Sequence, residues 1–425
     1  MKDKLSGKVI LLVMSFMFII MLIGVCEAKP KLTVWMETYF VEGANNLLIS
    51  TAEEWAEKKG VDIDVVFANS TQMNQMWAAG LESDKMPDVG YVNGGFMTRL
   101  YYQGRIVNVS DLYKSLGKKP NPFTDSQCKF EDGEYYAIPL YIENETMFYR
   151  KDLLADAGYN EPPKTWDELL EMSKNIMDPK KNIYGLALCL GRVSDANDQL
   201  HPILWSYGAS VAAEDGKTIT INSPETIEFL KFIQELYKTV PPAAVSWDET
   251  GDNKSFQMGQ TAFAQNWGSI PNWIKDNDPE LFKKIGFMVV PRGPKAHTGR
   301  AGGIYWSVFD NGDEKIELAK DFIKYWFDNS ESKWLELMGG YSVPGWEGYK
   351  KGDIWNREDV KVFAENSKIC KAVGYPGPET AEARDVNAQN ILVEMVQRVI
   401  VDKWTPEEAA AEAEKRVKEI YSKAQ

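Results

Sequence analysis

Segments typical of strands and of helices alternate through most of this sequence after residue 30. Lys31–Trp35 and Asp62–Phe67 are short apolar segments typical of strands. Between them, Asn46–Lys59 places apolar residues at helical spacing along one face. Such a β-α-β opening, followed by further alternation, indicates an α/β fold built from layered sheets and helices.

The same patterns recur along the rest of the chain, and we find no internal repeat. Thr165–Glu168 has the sequence of a capping box, in which the threonine and the glutamate satisfy free amides at a helix start. Further strands are predicted at Pro87–Val92, Met147–Tyr149, Thr261–Ala264, Ile285–Val290 and Ile304–Phe309, and further helices at Glu314–Phe327, Ala388–Ile400 and Thr405–Ala424.

The length of the chain predicts more than one core. With 425 residues, it exceeds the roughly 250 to 300 residues at which a single hydrophobic core stops growing. Two lobes with a cleft between them are therefore expected.

The amino terminus has the pattern of an export signal. An apolar run, Val9–Val25, follows three lysines, and the small residues Cys26 and Ala28 stand where a signal peptidase requires them. We predict a signal peptide over residues 1–28 and an extracytoplasmic protein, in the periplasm or at the cell envelope. Two alternatives stay open. The apolar run could remain as a membrane anchor, because about 20 apolar residues span a bilayer. Cys26 could instead be acylated.

Composition and missing motifs exclude several classes of function. The formal charge of −14 and the lack of a basic, aromatic-rich patch argue against a nucleic-acid partner. Only His201 and His297 are present, without the spacing of a zinc hydrolase. No nucleophile elbow or dinucleotide-binding glycine motif occurs, so we expect no metal or other cofactor. Paired acids such as Glu143 and Glu145 leave a glycosidase open.

Three cysteines remain after the predicted signal. They are Cys128, Cys189 and Cys370, and three thiols cannot all pair, so at most one disulfide and a free thiol are possible. The apolar neighbours of Cys189 favour a small buried side chain.

Aromatic and amide residues cluster at the ends of predicted strands. A sugar offers an apolar face that stacks on an aromatic ring and a rim of hydroxyls that requires acceptors and amide donors. Trp267 directly follows the amide residue Asn266, and Trp306 lies three residues after the Gly302–Gly303 pair. Both positions predict an aromatic ring on which a sugar can stack, next to a polar side chain or to backbone that a ligand can approach. These patterns predict a carbohydrate site.

The sequence resembles the extracellular solute-binding proteins that deliver sugars to ABC transporters, the group that includes the maltose-binding protein. The likeness extends over the mature chain and rests on the order and spacing of several segments. These are Leu32–Trp35, Met86–Val89, Tyr136–Pro139, Phe148–Leu154, Pro163–Leu169, Phe256–Ala262, Asn266–Trp267, Gly302–Gly303 and Glu317–Ile323.

The resemblance implies two α/β lobes that are discontinuous in sequence and joined by a multi-strand hinge. The amino-terminal lobe would comprise residues 29–142 and 267–311, and the carboxy-terminal lobe residues 143–266 and 312–425. It implies a monomeric, non-enzymatic subunit that captures a sugar and delivers it to transmembrane permease subunits. A secreted glycoside-processing enzyme is the alternative.

The predicted ligand-binding residues combine the strand-end pattern with positions that the resemblance marks. Val92 and Arg384 stand where the maltose binder has tryptophans, so maltodextrin is not the expected ligand, and Arg384 leaves room for an acidic sugar such as a uronide. The full set is Tyr39, Tyr91, Asn93, Glu143, Trp205, Asn266, Trp267, Gly303, Trp306 and Arg384.

Overall fold

The computed structural model describes residues 29–39, 41–339, 342–347 and 353–423. The predicted signal peptide over residues 1–28 lies outside these ranges. Among the described residues, no helix combines the length and the apolar character needed to span a membrane.

Eleven strands occur in the described residues and form two separate sheets. They are β1 (Lys31–Glu37), β2 (Asp62–Ala68), β3 (Val89–Asn93), β4 (Ile138–Asn144), β5 (Thr146–Arg150), β6 (Tyr184–Ala187), β7 (Thr261–Asn266), β8 (Ile285–Met288), β9 (Gly299–Val308), β10 (Ser342–Pro344) and β11 (Cys370–Lys371).

Helices connect the strands and cover the sheets. They are α1 (Glu42–Lys59), α2 (Ser70–Ser83), α3 (Gly94–Tyr102), α4 (Ser110–Ser115), α5 (Pro122–Cys128), α6 (Lys151–Asp156), α7 (Trp166–Ile176), α8 (Ser194–Ser206), α9 (Pro224–Tyr237), α10 (Gly251–Gln257), α11 (Ser269–Asn277), α12 (Pro279–Lys284), α13 (Asp313–Asn329), α14 (Glu331–Leu337), α15 (Glu358–Asn366), α16 (Ala381–Ala388), α17 (Ile391–Ile400) and α18 (Pro406–Lys423), with short 3-10 turns at Pro179–Lys181, Pro242–Ser246 and Asp353–Asn356.

The first sheet has the strand order β10-β4-β9-β3-β1-β2, with β11 attached to β9. Strand β1 runs parallel to β2 and β3, whereas β9 runs antiparallel to both β3 and β4. Strands β1, β2, β3 and β4 therefore all end at one edge of this sheet. Its core includes Leu32 and Val34 of β1, packed with Phe322 and Trp326 of α13.

The second sheet has the order β6-β7-β5-β8. Strand β6 is parallel to β7, and β5 is antiparallel to both β7 and β8. A separate hydrophobic core covers it, with Met147, Leu186 and Phe263 from the sheet and Leu200 from α8. Two sheets with two cores form two lobes, so the predicted α/β class with two lobes is confirmed.

Local sequence signals fix several helix ends. The Thr165 hydroxyl accepts from the Glu168 amide at 3.1 Å, as the capping pattern predicts, while the Glu168 carboxylate accepts from the Lys164 amide at 2.6 Å, one residue earlier than expected. The helix predicted over residues 388–400 is present but begins at Ile391, because Asn390 adopts the left-handed region with φ of 55° and separates α16 from α17.

A third hydrophobic cluster lies where the chain passes from one sheet to the other. Ile142 of β4, Phe148 of β5, Ala301 of β9 and Phe363 of α15 all belong to it. Glu145 alone separates β4 from β5, so the first crossover between the two sheets is a single residue.

Two stretches of the chain pack with the other sheet than the predicted lobe boundaries would place them with. Strand β8 lies within residues 267–311 but pairs with β5 of the second sheet. Apolar residues of the preceding helices α11 and α12 pack in the third hydrophobic cluster, which includes Phe148 of β5. Helices α13 and α14, within residues 312–425, pack in the core of the first sheet. We therefore propose lobes of residues 29–144 with 299–347, and 145–298 with 358–423.

The three described cysteines are free thiols. Cys128, Cys189 and Cys370 are buried in three different hydrophobic clusters, so none is close to another. Cys189 is fully buried, as its apolar neighbours predicted.

Candidate functional site

The ends of strands from both sheets meet at the first crossover. In the first sheet, β1, β3 and β4 end at the same edge, with Glu143 one residue before the end of β4. In the second sheet, Thr146 at the start of β5 pairs with Asn266 at the end of β7. Polar groups after the carboxyl ends of strands form the usual ligand site of open α/β sheets, so we place the candidate site at this crossover.

Three tyrosines and two acids form the first-lobe side of the candidate site. The Tyr39 ring lies 6.0 Å from the Tyr141 ring and 5.0 Å from the Trp334 ring, in edge-on contacts. Burial raises the pKa of Tyr39 and Tyr91, and the charges of Glu37 and Glu143 raise both further. The two carboxylates are therefore near enough to influence both tyrosine hydroxyls.

Glu143 has an unusual environment for a carboxylate. Burial, and then the nearby Glu37 charge, raise its pKa to about 7. Its backbone is opposite Gly302 on one side and Ser342 on the other, and the side chain is half-buried. A carboxylate that loses water in this way gains strongly from hydroxyl donors of a ligand.

Tyr141 and Glu37 were not among the residues predicted from the sequence. Tyr141 precedes Glu143 by two residues on one strand, which places both side chains on the same face. That spacing was the available signal. Glu37 ends β1, the same strand-end position that pointed to Asn93.

Asn93 lies at the same edge but already has a structural role. Its side-chain oxygen accepts from the Phe96 amide at 3.0 Å and caps α3. The residue is exposed, so its amide nitrogen faces solvent at the crossover edge.

On the second lobe, Asn266 holds Trp267. Asn266 is 1% exposed and donates to Asp252 Oδ2 at 2.7 Å and to Asn253 Oδ1 at 2.8 Å. Its oxygen accepts from the Trp267 amide at 2.6 Å. Asn266 is thus fixed within its own lobe, while the half-buried Trp267 has free ring surface.

A group of acids beside Asn266 was not anticipated from the sequence. The Ser194 amide at the start of α8 donates to Glu249 at 3.1 Å, and Gln199 donates to Asp252 at 2.5 Å. Burial, followed by a hydrogen bond with Glu249, raises the pKa of Asp195 to about 9. Burial and the neighbouring acids therefore favour the protonated form of the Asp195 carboxyl. These residues are far apart in sequence, so no local pattern reveals the group.

Two of the predicted tryptophans belong to the hydrophobic cores. Trp205 packs between His201 and Tyr375, with ring centres 4.9 and 5.7 Å away. Trp306 is fully buried, 5.0 Å from the Trp326 ring. Neither ring lies at the crossover, because Trp205 of α8 packs in the core of the second lobe and α13 covers Trp306 in the first.

Gly303 and Arg384, two further predicted ligand-binding residues, are engaged in contacts within the protein. A side chain at Gly303 would collide with the Tyr305 hydroxyl, so this glycine accommodates a neighbouring tyrosine. Arg384 pairs with Glu379 and packs against Gly95. The arginine that suggested an acidic ligand is therefore already neutralised.

A cavity of about 1120 Å³ lies between α5, β10 and residues 355–378. It contains none of the predicted ligand-binding residues. We place the site at the crossover because acidic, amide and aromatic groups converge there. Among the described residues, no group of three or more His, Cys, Asp or Glu side chains is arranged to hold a metal ion.

The fold is that of a two-lobed α/β protein, with polar and aromatic residues at the strand ends where its two sheets meet. Residues 45–333 match the family of bacterial extracellular solute-binding proteins, and the chain belongs to that family. The resemblance noted from the sequence is confirmed. The family consists of binding proteins rather than enzymes, which is the class predicted.

The curated relatives include transporter-binding proteins and proteins named for the sugars that they bind. A probable ABC transporter-binding protein of Deinococcus radiodurans is 30% identical over 238 residues, covering 52% of this chain and 54% of that protein. An arabinooligosaccharide-binding protein of Halalkalibacterium halodurans is 26% identical over 253 residues, covering 57% and 53%. The chain thus spans about half the length of the curated relatives it matches.

Solved structures show the same fold. The sugar-binding protein MalE of Xanthomonas citri superposes with a TM-score of 0.79 at 18% identity, covering 93% of this chain and 98% of that one. At this identity the similarity establishes the two-lobed architecture alone.

Proposed function

We propose that this protein is the carbohydrate-binding subunit of an ABC importer. It acts outside the cytoplasm, in the periplasm or at the cell envelope, after loss of its signal peptide. It binds a sugar or oligosaccharide between its lobes as a monomer, without a cofactor, and delivers it to the transmembrane permease subunits. The sugar-related names of its relatives support this ligand class.

One observation carries the proposal. Glu143 lies at the end of β4, and Glu145 alone separates β4 from β5, whose first residue Thr146 pairs with Asn266, the neighbour of Trp267. Carboxylate and phenol oxygens match sugar hydroxyls, and an indole matches the apolar face of a sugar ring. A ligand that contacts both lobes at once stabilises the closed conformation, in which the two lobes are together. A permease can recognise that closed conformation.

The glycoside-processing alternative loses its obvious acid pair. Glu145 is fully buried, and its carboxyl accepts from Gln265 at 2.8 Å within the second lobe. A glycosidase requires two acids that both reach the scissile bond. Of Glu143 and Glu145, Glu143 alone reaches the crevice.

Calorimetric titration of the mature chain with mono-, di- and oligosaccharides, followed by product analysis, tests the proposal. We expect one-to-one binding without turnover. A ligand at about 100 times its Kd should add about 2.7 kcal/mol to the free energy of unfolding. Hydrolysis of the bound sugar, or the absence of a thermal shift with every sugar, would contradict the proposal.

A further inference from the structure

We infer that the ion pair of Glu379 and Arg384 is a latch, which docks on Gly94 and Gly95 at the start of α3 and holds the two lobes together. The strength of this latch sets the fraction of the ligand-free protein that is closed. The inference rests on the proposed function and goes beyond it, because it names a contact that tunes sugar affinity without touching the sugar.

The latch joins two helices that belong to different hydrophobic cores. Met97 and Leu100 of α3 are buried in the core of the first lobe. Val386 of α16 belongs to the core of the second lobe. A contact between α3 and α16 is therefore a contact between the lobes, and it must break when the lobes move apart.

The segment that carries Glu379 is fixed to the second lobe. The Thr380 hydroxyl accepts from the Ala383 amide at 3.2 Å and caps α16. Gly377 lies against Ala213 in a turn of the second lobe, since a Cβ atom at position 377 would be 2.8 Å from the Ala213 carbonyl oxygen. Glu379 is 6% exposed and moves together with this lobe.

The start of α3 fits the latch in shape. A Cβ atom at Gly94 would collide with the Glu379 carboxylate and would lie 2.6 Å from Gln127 Oε1. A Cβ atom at Gly95 would collide with the Arg384 side chain. Glycine at both positions leaves the space that Glu379 and Arg384 fill when the lobes are together.

The start of α3 also fits the latch in charge. The first turn of a helix carries the positive end of its dipole, which favours a nearby carboxylate. Asn93 accepts from the Phe96 amide at 3.0 Å, and the Glu379 carboxylate of the other lobe lies beside Gly94. Arg384 pairs with the same carboxylate, so this buried charge has a partner in the closed protein.

The latch is incompletely satisfied, which keeps it reversible. Arg384 Nε is buried and has no hydrogen-bond partner within the described part of the chain, although another nitrogen of the guanidinium pairs with Glu379. A buried N–H without an acceptor costs free energy, and hydration recovers that cost when the contact opens. The open and closed arrangements therefore remain close enough in free energy for a ligand to shift the population.

The latch lies beside the proposed ligand site. Asn93 ends β3 at the sheet edge where β1 and β4 also end, and α3 begins at the next residue. A sugar that contacts both lobes must bring α3 and α16 together. The apparent Kd equals the intrinsic Kd divided by the fraction of closed protein, so any contribution of the latch to closure appears as sugar affinity.

Two variants weaken the latch and leave the crossover residues of the proposed site in place. Glu379→Gln keeps the size of the side chain and removes its charge, and Arg384→Ala removes the guanidinium. Arg398→Ala is the matched control, because Arg398 lies in the same lobe, pairs with Asp402 at 2.7 Å and has a similarly exposed side chain.

The mature chain of each variant is measured by small-angle X-ray scattering without sugar, and then by calorimetry with glucose, maltotriose, an arabinooligosaccharide and diacetylchitobiose. Relatives are named for the last three. Without sugar, we expect both latch variants to have a larger radius of gyration than the natural protein and the control. Each sugar that binds should bind both latch variants about tenfold more weakly, by the same factor for every sugar. Saturation with that sugar should restore the compact form.

Sugar-free scattering that is identical in the latch variants and the natural protein overturns the inference and leaves the proposed function intact. A loss of affinity confined to one sugar also overturns it, because Glu379 or Arg384 would then contact that sugar directly. If the scattering changes as expected but no sugar binds the natural protein, the latch stands and the proposed function fails.

Discussion

Arg384 of the second lobe packs directly against Gly95 of the first. A Cβ atom at Gly95 would lie 2.3 Å from Arg384 Nε and 2.6 Å from its Cγ. Arg384 also pairs with Glu379, which in turn lies against Gly94. Helix α16 can therefore contact α3 because positions 94 and 95 have no side chains.

The variant Gly95→Ala should destabilise this contact between the lobes. We expect the free energy of unfolding to fall by about 1–3 kcal/mol, the usual cost of overpacking, as measured by urea unfolding. The loss should largely vanish when Gly95→Ala is combined with Arg384→Ala, because the space is then free. Gly43→Ala is the control, since its Cβ would meet Leu337 at an ordinary 3.6 Å. An equal loss with and without Arg384 would contradict this packing.

Replacement of Asn266 by alanine should affect both stability and binding. The variant leaves the buried Asp252 with fewer donors, which costs about 1–3 kcal/mol, and it frees the Trp267 backbone. We expect a lower urea midpoint together with weaker sugar affinity. The control Asn277→Ala removes an exposed amide that donates to the Trp273 carbonyl. Weaker binding at unchanged stability would instead indicate direct ligand contact by Asn266.

Local pattern predicted most of the strands and helices, because apolar spacing is a property of neighbouring residues. It also placed Glu143 and Trp267 at strand ends, since polar residues interrupt the apolar pattern there. The left-handed Asn390 was not predictable, because helical spacing continues on both sides of it.

Tertiary register decided what local pattern could not. Trp306 looked accessible beside two glycines, yet its pairing with Tyr91 in the first sheet places it beneath α13. The acids Asp195 and Glu249 come together only because α8 and the segment before α10 meet at the end of the second sheet. Contacts of this kind depend on how distant segments pack, and no window of sequence contains them.

Trp267→Ala tests the ring platform of the second lobe. Loss of the indole should weaken sugar binding by about 10- to 100-fold, corresponding to about 1.4–2.8 kcal/mol, with little change in unfolding. Calorimetry measures the first quantity and urea unfolding the second. Trp273→Ala is the matched control, because Trp273 lies on α11 of the same lobe and is 47% exposed. Unchanged affinity in Trp267→Ala would exclude this residue from the site.

The acid at the crossover should make stability depend on pH. Burial and the Glu37 charge raise the pKa of Glu143 from its ordinary 4.5 to about 7. The native state therefore holds this proton more tightly than the unfolded chain, so the contribution to stability is complete below about pH 4.5 and is lost as the pH rises through 7. Glutamine cannot ionise. Glu143→Gln should thus gain about 1–3 kcal/mol over the natural protein between pH 4.5 and pH 8.5.

Urea unfolding of both proteins at several pH values measures this gain. The control is Glu57→Gln on the exposed face of α1, which should show no such trend. A stability difference between Glu143→Gln and the natural protein that stays constant across this range would mean that Glu143 ionises as it does in water. Glu143 would then be open to solvent, and the desolvated carboxylate on which the proposed sugar site depends would be absent.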